Sequence, residues 1–493
     1  MRIDVKNLIR KTVLLEGVDV PDWDSVLDNN PLLNTGIALL KEIEKLGGDA
    51  YVVGGAARDI MMGSKIKDVD IATNVPMDKI QKTFKWNAIG QSQDFGIIMV
   101  HFQGEEFEVA GFRSEEGSAD SRRPDSVEMI QSFETDSKRR DITINSMGIN
   151  SDGKLVDYQG GLDDIKKKVI RAVGVASNRF QEDALRILRA IRFAVRYGFE
   201  IESETKKAMI ELKDLIEKLS AERISEELLK VASNGKQLSS YVQHLDDVGI
   251  LQLILPELKA LQGKEQNPKH HPEGSAYIHS LRAVENTRSN DPVVNIAILF
   301  HDLGKGVVQS EPKDGYPTYY GHHNDSGIIV DEIGKRLKWS SKMKTAVKFA
   351  AINHMKAHNF DTLSNKKVYG LVSDPNWYVL KEVIYADIMA RGNVDPSEPL
   401  KNIEYAEALV DKMNSASSGD SLENAIKEKI NGHLVMKLTG LGSGAQLGKI
   451  ISTVRDWIFD VGIENASEQA IKDKVLEVHN QLKRAPEGAP SSD

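Results

Sequence analysis

The sequence predicts a mixed α/β head followed by an all-α neck, body and tail. Between Asp49 and Asn150, short β-rich runs alternate with turn signals: YVVGG, VDIAT, FGIIMVHF, EFEVAGF, ITINSMGI and KLVDY. After Arg171 that signal stops, and amphipathic helical patterns such as RFQEDALRILRAIRFAVRYGF and AERISEELLKVAS run to the end. With 493 residues and 40% apolar content, the chain is long enough for two to four domains and apolar enough for each to have a core.

In chain order, residues 1–35 read as an extension, 36–170 as the head, 171–255 as a helical neck, 256–400 as a body and 401–485 as a helical tail. Residues 486–493, PEGAPSSD, have the composition of a frayed end. Within the head, the polar stretch Arg113 to Asp141 reads as a mobile loop.

The net charge of -9 means that a nucleic-acid site needs a local basic surface in place of an overall positive field. There are no cysteines, so disulfides and thiolate metal sites are excluded and His, Asp and Glu are left as strong metal ligands. No apolar run approaches the roughly 20 residues that span a bilayer. The start MRIDVKNLIRKTVLLEGVDV is broken by charge and is not a signal peptide, and Asp4, Glu16 and Asp19 argue against a mitochondrial leader. The expectation is a cytoplasmic protein with no membrane partner; the sequence does not fix its oligomeric state.

In DVDIATN, strand alternation puts Asp68 and Asp70 on one face and Val69 and Ile71 on the other. Two adjacent carboxylates repel, and a divalent cation between them removes that cost. An isolated D-x-D also fits a solvated strand face, so its surroundings decide. Upstream, Tyr51-Val52-Val53 runs into Gly54-Gly55, where missing side chains let backbone approach a phosphate, and Arg58 follows within one turn. In EFEVAGF, Glu106 and Glu108 share a face opposite Phe107 and Val109, which supplies a third carboxylate and a hard-oxygen site suited to Mg²⁺.

These residues carry a resemblance. VVGGAARDIMMGSKIKDVDIATN resembles the signature of the DNA polymerase β-like nucleotidyltransferases, in the branch of CCA-adding tRNA nucleotidyltransferases and bacterial poly(A) polymerases. The likeness continues in order through FEVAGFR, SRRPDSV, KRRDITINSM, DYQGGLDDI and EDALRILRAIRF. It implies that Asp68 and Asp70 hold catalytic Mg²⁺ with Glu108 as third carboxylate, and that Gly54, Gly55 and Arg58 bind triphosphate. It further implies that Arg140 and Asp141 recognise ribose, that Arg139 assists with phosphate, and that Arg113 and Asn145 belong to the nucleotide site. Ile142 and Ser121 depart from the pattern, which has Phe and Gly there. The Phe95-Gly96 form resembles the CCA-adding type; poly(A) polymerase is the alternative of the same class.

Arg186, Arg189, Arg192 and Arg196 recur at three- and four-residue spacing on one helical stretch, as nucleotide contacts or, for Arg192 and Arg196 in particular, on an ion-paired helix crossing between domains. Asp183 and Arg186 stand at i and i+3 and can present an acceptor beside donors. Cytosine and adenine each offer an exocyclic amine beside a ring-nitrogen acceptor, whereas uracil and guanine offer a carbonyl beside an N–H. Such a pair accepts C and A, and the resemblance implies the same role for E-D-x-x-R with CTP and ATP as substrates and the tRNA 3′ end as partner.

Further along, His279, the pair His301-Asp302, His322, His354 and Asp387 follow one another as H…HD…H…H…D. A lone His-Asp pair is usually without function, but this order, with the string HDLGKG, resembles the HD-superfamily phosphohydrolases. The resemblance implies a first divalent metal (Mn²⁺, Ni²⁺, Mg²⁺ or similar) on His279, His301, Asp302 and Asp387, a second supported by His322 and His354, and Lys305 facing phosphate. His358 is read as a surface residue, and His270, His271 and His323 as non-ligands. Phosphatase or 2′,3′-cyclic phosphodiesterase activity is implied; a mainly hydrolytic protein with an RNA-binding head is the other alternative. The segment from 430 to 458 resembles the tRNA-binding tail of longer CCA-adding enzymes, with Lys437 and Lys449 as phosphate contacts; a helical hairpin packed for structure fits it equally.

Overall fold

The structure, a computed structural model, describes residues 18–20, 22–89, 96–116, 126–313, 315–358, 360–392, 395, 397–415 and 422–484. The chain forms two compact units, residues 1–259 with 336–338, and residues 260–335 with 339–493. No described helix is long and apolar enough to cross a membrane.

The first unit is built on an eight-stranded sheet in the order β1-β10-β9-β2-β3-β6-β5-β4. Its strands are β1 (Val18–Asp19), β2 (Ala50–Val53), β3 (Asp70–Thr73), β4 (Lys85–Ala88), β5 (Ile97–Phe102), β6 (Glu105–Gly111), β9 (Gly148–Ile149) and β10 (Lys154–Val156). Helix α1 (Pro31–Glu44) lays Leu33, Leu39, Leu40 and Ile43 on one face of this sheet, in a core shared with Val52, Ile71, Phe107 and Val109. Gly36 makes the close approach possible, because a Cβ there would sit 2.9 Å from Val69 Cγ1. On the other face Tyr51, Phe112 and Phe133 stack, with ring centroids 4.7 to 6.0 Å apart.

Four expectations are corrected. The extension over 1–35 belongs, from Val18 on, to the head: Val18 pairs with Leu155, and Val20 and Leu33 are buried in the core. A two-residue strand is too short to show alternation in sequence. The loop over Arg113–Asp141 contains a hairpin, β7 (Arg113–Glu116) with β8 (Ser126–Met129), and helix α2 (Phe133–Lys138), capped by Ser132; its polar composition masked both. Residues 117–125 of that stretch, Ser121 included, lie outside the described residues, as do 1–17 and 485–493. ITINSMGI is a 3-10 turn (Thr143–Asn145) followed by β9. Short strands also occur after Arg171, at Glu200–Ile201, Ser310–Lys313 and Tyr316–Thr318.

Apart from two small two-stranded sheets, β7 with β8 and Val169–Ile170 with Glu200–Ile201, the rest of the described first unit is mainly helical, including α3 (Ala176–Glu182), α4 (Leu185–Tyr197) and α5 (Ala221–Ala232). Ile187, Leu188, Ile191 and Phe193 bury the apolar face of α4, while its arginines turn the other way or lie along its edge. The second unit is helical, apart from the hairpin at Ser310–Thr318. Its centre combines α6 (Ala276–Glu285), α7 (Pro292–Phe300), α8 (His322–Arg336), α9 (Ser341–Asn353) and α10 (Trp377–Ala390). Helix α7 is almost wholly apolar and buried from Val294 to Phe300, so the sequence that follows it, His301-Asp302, emerges in the interior.

Candidate active site and metal centre

Strand register sets the head site. Val53 of β2 pairs with Asp70 of β3, so Gly54 and Gly55 begin their helix, Gly54–Met61, directly beside the Asp70 carboxylate. Gly54 has φ +65, in the left-handed region that favours glycine, which explains the residue at this turn beside Asp70. Ile71 pairs with Val109 on the parallel neighbour β6, so Asp70 and Glu108, one residue before each, stand on adjacent strands. Asp68 lies just outside β3 and is exposed. Burial, then the charges of Glu108 and Asp68, push the Asp70 carboxyl up to about 6. That field is one a divalent cation would relieve. Among the described residues, the three-ligand groups converging within 4.8 Å all lie in the second unit.

A cleft of about 610 Å³ is lined by Asp68, Asp70, Gly54, Gly55, Asp183 and Arg186. The expected nucleotide-site residues Arg58, Arg113, Arg139, Arg140, Asp141 and Asn145 also line it, as do Arg189 and Arg192. The arginines are anchored. Arg58 is buried, donates to Asp59 and Asn145, and lies 5.2 Å from the Phe193 ring and 5.0 Å from that of Tyr197. Arg139 and Arg140 both pair with fully buried Asp136, at 2.8 and 3.0 Å. Arg189 Nη2 is 2.7 Å from Asp141; burial pushes that carboxyl up, but Arg189 outweighs it and holds the group at about 2. Arg192 donates to Glu227 at 2.6 Å, an ion pair within the first unit.

Asp183 and Arg186 are joined through the backbone, Arg186 N donating to the Asp183 carbonyl at 3.1 Å, and other residues set their side chains. Asp183 accepts from Leu185 N at 3.0 Å and from Arg223 of α5 at 2.7 Å. Arg186 donates to Glu182 at 2.7 Å and to the Arg139 carbonyl at 2.8 Å. Sequence reasoning missed Asp59, Asp136, Glu182, Arg223 and Glu227. Asp136 and Glu182 had a local signal, lying three or four residues from their arginines, whereas Arg223 and Glu227 come from a distant helix that no spacing connects to the site.

In the second unit, four of the expected ligands, the histidines, surround the carboxylate of Asp302, and Asp387 lies against one of them. Its Oδ2 lies 3.3 Å from His301 Nε2 and 3.8 Å from His279 Nε2, and its Oδ1 lies 3.0 Å from His322 Nε2 and 3.4 Å from His354 Nε2. Asp387 is 3.1 Å from His279 Nε2. Each imidazole uses its other nitrogen elsewhere: Nδ1 of His301, His322 and His354 bonds the carbonyls of Ile298, Tyr319 and Ala351, and Nδ1 of His279 bonds Glu273 at 2.5 Å. With Nδ1 as the donor, four Nε2 lone pairs face two carboxylates. The buried atoms His279 Nε2, His301 Nε2 and Asp302 Oδ1 have no hydrogen-bond partner among the described residues. Acceptors converging on acceptors fit a cation, and each oxygen of Asp302 faces two of the histidines. Burial lowers the His279 imidazole, but Asp387 and Glu273 reverse this and raise it to about 9; burial depresses His354 to about 4.

Lys305, expected to face phosphate, is buried and donates to Asp302 and Gln266 at 2.6 and 2.7 Å. Glu273 and Gln266 were not anticipated. The expected non-ligands His270, His271 and His323 line the cavity of about 430 Å³ beside the cluster, and the His358 side chain lies outside the described residues.

A sheet presenting carboxylates beside a glycine turn, continued by helices carrying anchored arginines, defines the class: residues 50–171 match the Poly A polymerase head domain, and residues 198–262 match the probable RNA and SrmB-binding site of polymerase A. The CCA-adding enzyme of Lactobacillus johnsonii is 39% identical over 447 residues, covering 90% of this chain and 98% of the relative. The chain belongs to the CCA-adding enzyme family. The Bacillus subtilis CCA-adding enzyme is 42% identical over 210 residues, 42% of this chain and 53% of that one. Among solved structures, the Bacillus stearothermophilus CCA-adding enzyme in complex with CTP shares the fold at a TM-score of 0.67, with 22% identity, covering 92% of this chain and 99% of that chain. The Thermotoga maritima enzyme complexed with tRNA shares it at a TM-score of 0.56, with 19% identity over 94% of this chain and 99% of that chain.

Proposed function

We propose that the first unit adds the terminal CCA to the tRNA 3′ end from CTP and ATP, without a nucleic-acid template, and releases pyrophosphate. The observation that carries this reading is one cleft lined both by Asp68 and Asp70 and by Asp183 and Arg186. Asp68, Asp70 and Glu108 would hold Mg²⁺, which activates the attacking 3′-hydroxyl and stabilises the leaving pyrophosphate. Gly54 and Gly55 admit the triphosphate to their backbone, and Arg58 braces the turn from beneath. Arg139 and Arg140, fixed on Asp136, face the sugar and phosphates, with Asn145 and Asp141 behind them; Arg113 lines the same wall. Asp183 accepts the exocyclic amine of C or A while Arg186 donates to the ring nitrogen; U and G would leave both groups unpaired.

The second unit is read as an HD-type phosphohydrolase acting on phosphate monoesters or 2′,3′-cyclic phosphates. His279, His301, Asp302 and Asp387 would hold a divalent ion and His322 and His354 would support a second, which would supply a water of lowered pKa for attack at phosphorus. Glu273 keeps His279 oriented, and Lys305 holds Asp302 in place. The tail, with Lys437 and Lys449, is read as a tRNA contact, and action on tRNA places the protein in the cytoplasm. The neck, residues 171–255, joins the nucleotide to the RNA.

Equilibrium binding of the four nucleoside triphosphates tests the head. CTP and ATP should bind at least tenfold more tightly than UTP and GTP, and Arg186→Ala should erase that preference. Equal binding of all four by the wild-type protein would refute the assignment of Asp183 and Arg186.

A further inference from the structure

We propose that Arg391 is the phosphate-binding cation of the second unit's cavity, gripping the phosphate group of a phosphoester beside the metal centre. The inference rests on the hydrolytic reading of that cavity and names the residue that meets its substrate. A phosphate group there needs a cation that is not already spent on the protein. Lys305, on the cavity wall, is buried against Asp302 and Gln266, so its ammonium is committed. Arg391 lines the same cavity from just past the end of α10, one turn beyond Asp387.

Its guanidinium is 3.7 Å from Asp387 Oδ1, too far for a hydrogen bond, and its side chain is 33% exposed. Its Nε is buried with no hydrogen-bond partner among the described residues. A buried donor without an acceptor is costly, and a planar guanidinium presents its donors in the fork that a phosphate oxygen pair satisfies. The i to i+4 spacing puts that fork on the same helix face as the ligand Asp387, so a phosphate held by Arg391 lies next to the ion. Lysine could supply charge at this place but not the two-point grip.

Calorimetry on the full-length chain tests this, with Mn²⁺ titrated first and inorganic phosphate titrated into the Mn²⁺-loaded protein. Wild type, Arg391→Ala and Arg391→Lys should take up Mn²⁺ alike, within threefold in affinity. Phosphate affinity should fall at least tenfold in Arg391→Ala and by less in Arg391→Lys. Unchanged phosphate binding in Arg391→Ala overturns the proposal, as does the absence of phosphate binding by Mn²⁺-loaded wild type. Loss of Mn²⁺ binding in Arg391→Ala also overturns it, because the arginine would then be positioning Asp387. A wild-type protein that takes up no Mn²⁺ at all would instead overturn the hydrolytic reading on which the proposal rests.

Discussion

Asp136 accepts from two consecutive arginines while wholly buried, and the same device, a carboxylate partner for an arginine, recurs along the cleft. Arg192 on Glu227 and Arg189 on Asp141 are further cases, and pre-set side chains lose less entropy when a ligand arrives. The residues lining the cleft were legible in sequence because spacing and charge expose them, as with Asp68, Asp70 and the arginines of α4. The buried carboxylates behind them were not, since Glu227 lies 35 residues from Arg192. Glu227 is 1% exposed, and although burial favours its neutral form, Arg192 and Lys230 hold its carboxyl below the ordinary 4.5. Glu227→Gln should therefore cost roughly 3 kcal/mol at neutral pH. A depressed carboxyl stabilises fully above its unfolded value, and the contribution is lost as pH falls through the lowered folded value. Urea unfolding should show the gap between wild type and variant wide at pH 7 and narrowing in acid below 4.5.

At the scale of elements, the long helical patterns and the β2 and β3 runs were readable, because apolar periodicity persists over several residues in each. The β7–β8 hairpin and α2 were not, because their polar residues carry no such pattern, and β1 is too short for one. Glycine in HDLGKG has a packing reason that the string alone does not disclose. A Cβ at Gly304 would lie 2.0 Å from the His322 carbonyl oxygen and 2.8 Å from Ser326 N, at the start of α8. Gly304 N donates to Ser326 Oγ at 2.9 Å, which pins the turn after Asp302 to the helix that carries His322. Gly304→Ala must push these elements apart, at a cost of about 1–3 kcal/mol. Thermal unfolding should show the loss, and Mn²⁺ affinity should fall with it because His322 moves away from Asp302.

At the scale of the molecule, two sets of chemistry sit in separate compact units, the carboxylates of the head in one and the histidine cluster in the other. The sequence showed both sets as ordered strings; what it withheld was that Asp302 bridges two groups of ligands. The separation predicts reciprocal variants. Asp70→Ala should lower nucleotide addition by more than about a hundredfold and leave Mn²⁺-dependent hydrolysis of a 2′,3′-cyclic phosphate intact. Asp302→Ala should do the reverse, and either variant losing both activities would contradict the division of labour.

The most direct measurement gives the purified protein a tRNA lacking its 3′ CCA, Mg²⁺, CTP and ATP, and reads the product's 3′ end by sequencing. The account predicts addition of C, C and A in that order, followed by arrest. A run of adenosines beyond the natural end, or no extension at all by protein that binds CTP, would contradict it.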